Sequence, residues 1–394
     1  MDVGVEVGVD VGVRRIVFVT RDGAVGASQV FLLYLLRWLH EHTEVEAEVL
    51  SWFDGPLLDQ AAEVAPVRVL DELNEWRPAR FFEVLGVQRV AQVLKSARLR
   101  WWLLRRRSGG LLYLNGLEAA RVLGFAAGTP RAVVHVHDLA ELDGDRVSDA
   151  DRSLVAARAD TFVAASDEIA DALHERLGVA RSRIVRHDYV IAAGVEGPLV
   201  SLHPPSRADL GIADDEVVVG GTGSADWWAE PEQFVLFAWA LRRRLPQARL
   251  RFLWIAEDPD ERVLWPFHHD LRNAGVDDVT TVVSGPTPFD YLRSMDVLVL
   301  SARHEPAELL VFEAVGAGVA VVRTDNLLRD APAGLTATPV PYLDVDALAD
   351  AVGGLVTDPA ARAAVVARGR EAASGHHDVS VGAPRLFAAL RRHR

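Results

Sequence analysis

Runs of β-branched residues alternate with helical patterns along most of the chain, and this alternation limits the fold more than any other feature. RRIVFVT is followed by a helical pattern at 27–41, AVVHVHD by one at 149–158 and TFVAAS by one at 167–177. Strands and helices in alternation form a parallel sheet with helices on both faces. The sequence therefore predicts an α/β protein.

The alternation breaks once, at a segment rich in glycine and proline, and then resumes. We expect two doubly wound, Rossmann-like domains that face a central cleft, because such sheets bind ligands at the carboxyl ends of their strands. The expected division is a disordered leader at 1–13, an N-terminal domain at 14–195, a linker at 196–212, a C-terminal domain at 213–375 and a returning C-terminal helix at 376–394.

Charge, apolar run length and cysteine content exclude several classes of protein. The formal net charge of −14 over 394 residues argues against general binding of nucleic acid, which requires cations to neutralise phosphates. The apolar runs are far shorter than the roughly 20 residues of a membrane span, and no export signal is visible. The chain has no cysteine, which fits a reducing compartment, so we expect a cytoplasmic protein.

One dense basic stretch stands apart from this acidic background. KSARLRWWLLRRR, at 95–107, mixes cations with tryptophan and leucine. One interpretation is a helix that contacts the inner face of a membrane through anionic lipid. The other is an amphipathic helix whose arginines are solvated while its tryptophans and leucines pack inward.

The segment VLVLSARHEPAELLVFEAVGAGVAVV holds Glu305 in a loop and Glu313 in the helix that follows. Eight helical residues turn a side chain by about 80°, so both acids share one broad face. A helix N-terminus offers amides to phosphate, and a carboxylate accepts two hydrogen bonds from the hydroxyls of a ribose. A solvated Glu313, with Glu305 at the positive end of the helix, would give the same pattern.

This segment resembles the E-x7-E signature of the retaining glycosyltransferases of family 4, which have the GT-B fold. The strand, the loop, the helix, the AVGAGVAVV turn and the next strand follow in the same order. Residues 219–257 resemble the first strand, glycine loop, helix and second strand of that family's nucleotide-binding domain. The resemblance implies transfer of a sugar from a nucleotide diphosphate donor to an acceptor, with retained configuration and with no cofactor or metal ion.

The resemblance also implies roles for individual residues. Glu313 would hold the ribose hydroxyls, and Glu305 and His137 would lie at the transferred sugar as the catalytic residues. Phosphate and sugar would meet the amides at the start of the signature helix and the loop from Gly23 to Ser28. The remaining residues expected at the donor are Gly26, Ala27, Thr222, Gly223, Trp227, Ala307, Glu308, Leu309 and Leu310.

The chain departs from the family where an arginine and a lysine usually neutralise the diphosphate. GGTGSADWWAEP has no cation there, and Arg303 is the substitute that the sequence offers. Two alternatives therefore stay open, a glycosyltransferase-like binding protein of weak activity and a GT-B sugar-nucleotide epimerase or phosphorylase. The acceptor, whether glycan, lipid or small molecule, is not encoded in a readable motif.

The sequence gives weaker support for a metal site or a dinucleotide-binding site. His135, His137 and Asp138 are the residue types of a metal site, but the carboxylate alternates to the other side of the strand. The D-x-D strings at 143–151 and 344–346 fit acids that cap helices. The spacing of G-x-G-x-x-G fails in GGTGSA, which argues against a dinucleotide cofactor.

Overall fold

The structure is a computed structural model, and it describes residues 11–70, 87–105, 110–125, 131–143, 147–187, 204–225, 227, 229–256, 260–284, 287–303, 308–328, 331–376 and 378–392. The chain divides into two compact units. The first takes in Met1–Val190 and Val379–Arg394, and the second is Ile191–Asp378. Residues 1–10 of the predicted leader and 196–203 of the predicted linker lie outside the described residues, as do Glu305 and Ala307.

A sheet of seven parallel strands forms the centre of the first unit. Its strands are Arg15–Thr20 (β1), Glu46–Ser51 (β2), Val67–Val69 (β3), Gly110–Asn115 (β4), Arg131–Val136 (β5), Thr161–Ala164 (β6) and Ile184–Arg186 (β7). They lie in the order β3-β2-β1-β4-β5-β6-β7. The central strands β1, β4 and β5 are almost wholly buried, as expected when helices cover both faces of a parallel sheet.

Capping residues set the ends of two helices in the first unit. Ser148 and Ser166 cap them by accepting a hydrogen bond from a backbone N–H of the first turn, and Gly178 ends the second in the left-handed conformation. The helices of the first unit are Ala27–His42 (α1), Leu57–Ala62 (α2), Gln88–Arg105 (α3), Ala140–Asp143 (α4), Asp149–Arg158 (α5) and Asp167–Leu177 (α6), with 3₁₀ helices at Leu117–Gly124 and Arg181–Arg183. The capped helices are α5 and α6.

The second unit has a sheet of five parallel strands. The strands are Val217–Gly223 (β8), Leu250–Ala256 (β9), Thr280–Ser284 (β10), Val297–Leu300 (β11) and Ala320–Arg323 (β12), and they lie in the order β10-β9-β8-β11-β12. In the core of this unit, phenylalanines of the first helix and of β9 pack against one another. The helices are Pro231–Arg244 (α7), Glu261–Ala274 (α8), Glu308–Gly316 (α9), Val345–Thr357 (α10) and Pro359–His376 (α11), with 3₁₀ helices at Asp277–Val279 and Pro288–Ser294.

The last helix, Val379–Arg392 (α12), belongs to the first unit, where it packs on α1. The rings of Trp38 and Phe387 stack with centroids 6.0 Å apart. At the end of β7, His187 donates a hydrogen bond from Nε2 to the carbonyl of Gly382 over 3.0 Å. Apolar packing and one buried hydrogen bond therefore join α12 to the first sheet.

The strand order reverses once in each sheet. In the first sheet β1 lies between β2 and β4, and in the second β8 lies between β9 and β11. At such a switch point the neighbouring loops leave in opposite directions and open a crevice at the carboxyl ends of the strands, where doubly wound sheets bind ligands. The loops after β1 and β4, and those after β8 and β11, are therefore the candidate ligand-binding loops of the two sheets.

Helices of the described residues are all too short or too polar to cross a membrane.

Candidate functional site

A chain of hydrogen bonds joins the loops at the switch point of the first unit. Asn115 ends β4 and His137 directly follows β5. Asn115 donates from Nδ2 to the carbonyl of Ser28 over 3.0 Å, and its Oδ1 lies 2.9 Å from Nε2 of His137. The start of α1, which follows the β1 loop, is thereby tied to the ends of two neighbouring strands.

This chain defines the protonation of His137. Because the amide nitrogen of Asn115 already donates to Ser28, its oxygen accepts, so Nε2 of His137 carries the proton. Burial, together with the nearby His187, lowers the pKa of His137 to about 3. His137 is therefore neutral at physiological pH, and its one N–H is engaged by Asn115.

The histidines beneath this site are a packed cluster. The rings of His135 and His137 lie with centroids 3.9 Å apart, and Phe31 packs edge-on against both. Tyr113 bonds Nδ1 of His135 through its hydroxyl over 2.7 Å, and burial lowers the pKa of His135. Across the described part of the chain, no group of three or more His, Asp or Glu side chains is arranged to hold a metal ion.

Glu141 supports the same edge of the sheet and was missed by the sequence analysis. Its carboxylate accepts hydrogen bonds from the backbone N–H of Leu117 at 2.6 Å and of His137 at 3.0 Å. Burial raises the pKa of Glu141 to about 7 against the pull of these two bonds. Gly116 has φ 98°, and a Cβ there would lie 3.1 Å from the Glu141 carboxylate, so the turn requires glycine.

The loop from Gly23 to Ser28 is held by Asp22. Its carboxylate accepts from the N–H of Ala24 and from Nε2 of Gln29, each over 3.1 Å. Gly26 is the residue before α1, and Ala27 is the first residue of that helix. Both of these predicted donor residues therefore lie beside the Asn115 and His137 network, at the carboxyl end of β1.

In the second unit the predicted strand, helix and strand of the signature segment are present as β11, α9 and β12. Glu313 lies inside α9 and is only 5% exposed, so it is not a solvated helix residue. Leu309 and Leu310 are buried in the first turn, and Glu308 is the first residue of the helix. Buried carboxylates are uncommon, because burying one is costly unless donors meet it.

The glycine loop after β8 is shaped by packing. A Cβ on Gly221 would lie 2.8 Å from the ring of Phe234, so the glycine lets α7 approach the sheet. Thr222 donates its hydroxyl to the carbonyl of Ile255 over 3.0 Å, which ties β8 to β9. The predicted donor residue Thr222 thus already uses its O–H within the sheet, and Gly223 ends β8 with φ 157°.

Four side chains meet at the switch point of the second sheet, and we call them the Glu230 cluster: Trp227, Glu230, Arg303 and Tyr342. Glu230 lies between β8 and α7, Arg303 follows β11, and Tyr342 follows the bridge that pairs Thr324 with Val340. Arg303 donates from Nη2 to Glu230, and Tyr342 donates its hydroxyl to the second carboxylate oxygen over 2.5 Å. The guanidinium lies 3.9 Å above the ring of Trp227.

Arg303 and Trp227 are predictable from the sequence, but the partners that hold them are not. Trp227 is 58% exposed and so is not part of the packed core. Burial, and then the neighbouring Glu230, raises the pKa of Tyr342 to about 12, which keeps its hydroxyl a donor. Glu230 stands where the sequence lacks its expected cation, and that departure was the one signal of an unusual partner.

Comparison with known proteins agrees with this architecture. A family model described as Glycosyl transferases group 1 matches residues 217–358, inside the second unit. The D-inositol 3-phosphate glycosyltransferase of Kribbella flavida is 27% identical over 221 residues, which are 52% of this chain and 50% of that protein. The chain therefore spans about half the length of this curated relative.

Solved structures share the fold over nearly the whole chain. Anabaena HepE, in complex with UDP and glucose, has a TM-score of 0.71 at 16% identity and covers 96% of this chain and 100% of its own. Sucrose-phosphate synthase from Thermosynechococcus elongatus has a TM-score of 0.61 at 16% identity, with 96% and 98% covered. The predicted fold is thus confirmed: this chain has two parallel-sheet α/β units of the GT-B fold, and its second unit contains a domain similar to the group 1 glycosyltransferases.

Proposed function

We propose that this protein is a glycosyltransferase that moves a sugar from a nucleotide diphosphate donor to an acceptor. The observation that carries the proposal is the match of residues 217–358 to group 1 glycosyltransferases, with the signature glutamate Glu313 buried within that range. The Anabaena HepE structures contain UDP, UDP with glucose, or UDP-glucose, which supports a uridine diphosphate sugar as the first donor to test.

The finer assignment follows the resemblance to family 4. Glu313 holds the ribose hydroxyls, and the amides at the start of α9 meet the phosphates. The leaving diphosphate gains negative charge as the glycosidic bond breaks, so donors fixed at that position stabilise the transition state more than the ground state. Glu305 orients the sugar, and attack from the side of the leaving group retains the configuration.

The test is turnover of UDP-glucose in the presence of an acceptor panel. Release of UDP together with a new glycoside supports the proposal, and the anomeric proton coupling in the product reports retention or inversion. We expect activity to persist in chelator, because Asp149 and Asp151 lie in the first turn of α5 and Asp344 caps α10. Loss of activity in chelator with rescue by manganese would contradict metal-independent transfer.

One observation favours a second candidate, a donor-binding protein with weak activity. The guanidinium of Arg303, the cation expected to replace the missing pair, is already bonded to Glu230. A protein of this kind would bind UDP-glucose but would release UDP only over hours. An epimerase, by contrast, would convert the donor without consuming an acceptor.

We also propose that α3 contacts anionic lipid. Trp101 and Leu104 are 54% and 47% exposed on this helix, and Arg105 lies 3.6 Å over the ring of Trp101. The inward-packing interpretation was wrong for Trp101, although Trp102 is buried. Exposed apolar side chains beside cations are typical of helices that lie at a membrane surface.

A further inference from the structure

The Glu230 cluster contains a buried acid where a diphosphate site would place a cation. Glu230 is only 2% exposed, and both of its carboxylate oxygens accept a hydrogen bond, one from Arg303 and one from Tyr342. A cation and a second donor thus meet this buried carboxylate, as the burial of a charged group requires. Arg303 and Glu230 form an ion pair whose charges offset each other.

The backbone of Glu230 is held in an uncommon conformation. Its φ of 47° and ψ of 56° lie in the left-handed region, which is unfavourable for a residue with a Cβ. Such conformations persist where the surroundings determine them and are found disproportionately at ligand sites. The chain therefore maintains strain at the position that brings this carboxylate to Arg303.

Arg303 is fixed from its own side as well. Asn326 donates from Nδ2 to the carbonyls of Ala302 and Arg303, over 3.1 and 3.3 Å, which holds the loop after β11. The Arg303 side chain keeps 35% of its surface exposed, whereas Glu230 is buried behind it. An anion that arrives at this edge of the sheet thus meets the guanidinium first and the opposing carboxylate just beyond it.

The electrostatic consequence is a cation whose attraction is largely cancelled. An anion within reach of Arg303 is also within a few ångströms of the Glu230 carboxylate, and the two contributions have opposite signs. A ligand phosphate gains full attraction only if it displaces Glu230 or if the charge on Glu230 is removed. Glu230 behaves as an internal anion that competes with the ligand.

We infer that Glu230 is a specificity-determining residue of the donor site, because it occupies Arg303 and thereby weakens the binding of pyrophosphate groups. That the competing ligand is the diphosphate of a nucleotide sugar rests on the proposed function. Lowered affinity for pyrophosphate shifts recognition toward the nucleoside and the sugar, which the Glu230 cluster does not penalise.

Substitution of Glu230 by glutamine separates charge from shape. Glutamine keeps one oxygen that accepts from Arg303, and its amide can donate to the oxygen of Tyr342, so the cluster retains its hydrogen bonds. Only the negative charge is lost. A matched control lies two residues further along the chain, since Glu232 is exposed in the first turn of α7 and Glu232→Gln removes one charge from a side chain that is not bonded to Arg303.

The experiment measures binding of inorganic pyrophosphate, UDP and uridine by calorimetry. We expect Glu230→Gln to bind pyrophosphate and UDP at least fivefold more tightly than the unmodified protein, with uridine unchanged and with less than a twofold effect from Glu232→Gln. In the double variant Glu230→Gln, Arg303→Ala the gain should vanish. Unchanged or weaker pyrophosphate binding in the folded Glu230→Gln protein, or a gain that survives loss of Arg303, would overturn the inference.

Two further comparisons keep the result decisive. If Glu230→Gln does not fold, the double variant Glu230→Gln, Arg303→Ala provides the test. It replaces an ion pair by two neutral residues, so we expect it to bind pyrophosphate within twofold of the unmodified protein. A tenfold loss would contradict the inference. UDP-glucose turnover tests the proposed function separately. Tighter pyrophosphate binding without UDP-glucose binding would uphold the role of Glu230 and exclude UDP-glucose as the donor. Turnover of UDP-glucose without tighter pyrophosphate binding would support the proposed function and contradict the role of Glu230.

Discussion

At the scale of single residues, Glu313 is a buried acid that we propose binds the ribose hydroxyls of the nucleotide. We expect Glu313→Gln to weaken UDP binding at least tenfold, because each charge-assisted hydrogen bond to a ribose hydroxyl contributes about 1.5–3 kcal/mol. Calorimetry with UDP measures the change. Asp350→Asn, an exposed acid on α10 that pairs with Arg244, is the control and should leave the affinity as it is. Equal affinities for all three proteins would remove Glu313 from the site.

Glu141 makes stability depend on pH. Its folded pKa of about 7 lies above the ordinary value of 4.5, so between these values the folded state binds more protons than the unfolded state. The free energy of unfolding therefore falls as pH rises through this window. Glu141→Gln imitates the protonated carboxyl, and urea unfolding at pH 5 and pH 8 should show a smaller drop for the variant. Parallel losses in both proteins would contradict the raised pKa.

At the scale of elements, Asn115 joins β4, β5 and the start of α1. Asn115→Leu leaves the carbonyl of Ser28 and the N–H of His137 without this partner, and such a loss costs about 1–3 kcal/mol for each buried group. We expect lower stability of the first unit and faster hydrogen exchange in the first turn of α1. Asn115→Asp keeps the acceptor for His137 and should have the smaller effect. Exchange rates that do not change in Asn115→Leu would show that the loop holds itself.

Helix α3 carries the prediction on lipid. We expect Trp101→Ala, Leu104→Ala to reduce binding to vesicles of anionic lipid at least threefold, because two exposed apolar side chains are lost from the face that we propose contacts lipid. Sedimentation with vesicles measures the bound fraction. Trp265→Ala removes a comparably exposed tryptophan from α8 and is the control. Binding that falls equally in both proteins, or in neither, speaks against α3 as the contact.

At the scale of the whole molecule, α12 connects the end of the chain to the first unit. A chain ended at Asp378 loses the buried side chains of Leu386, Phe387 and Leu390, each of which contributes about 1.5–3 kcal/mol. We expect calorimetry to show a lower melting temperature for the first unit and an unchanged second transition. A single unaltered melting profile would mean that α12 contributes no stability.

The sequence by itself determined the strands, the parallel sheets and the place of the signature helix. Buried parallel strands require runs such as IVFV and VLVL, and the ends of their helices need residues such as Ser166 and Gly178, so this information is local in the chain. The tertiary structure alone decided the partners at the strand ends. Arg303 is 73 residues from Glu230, and Tyr342 is 112 residues from it, and only the strand order that sets β8 beside β11 brings such distant side chains together. The sequence shows only that Glu230 stands where a cation was expected. The folded sheet shows that its carboxylate is paired with Arg303. Such a pairing depends on distance in space and not on separation in sequence.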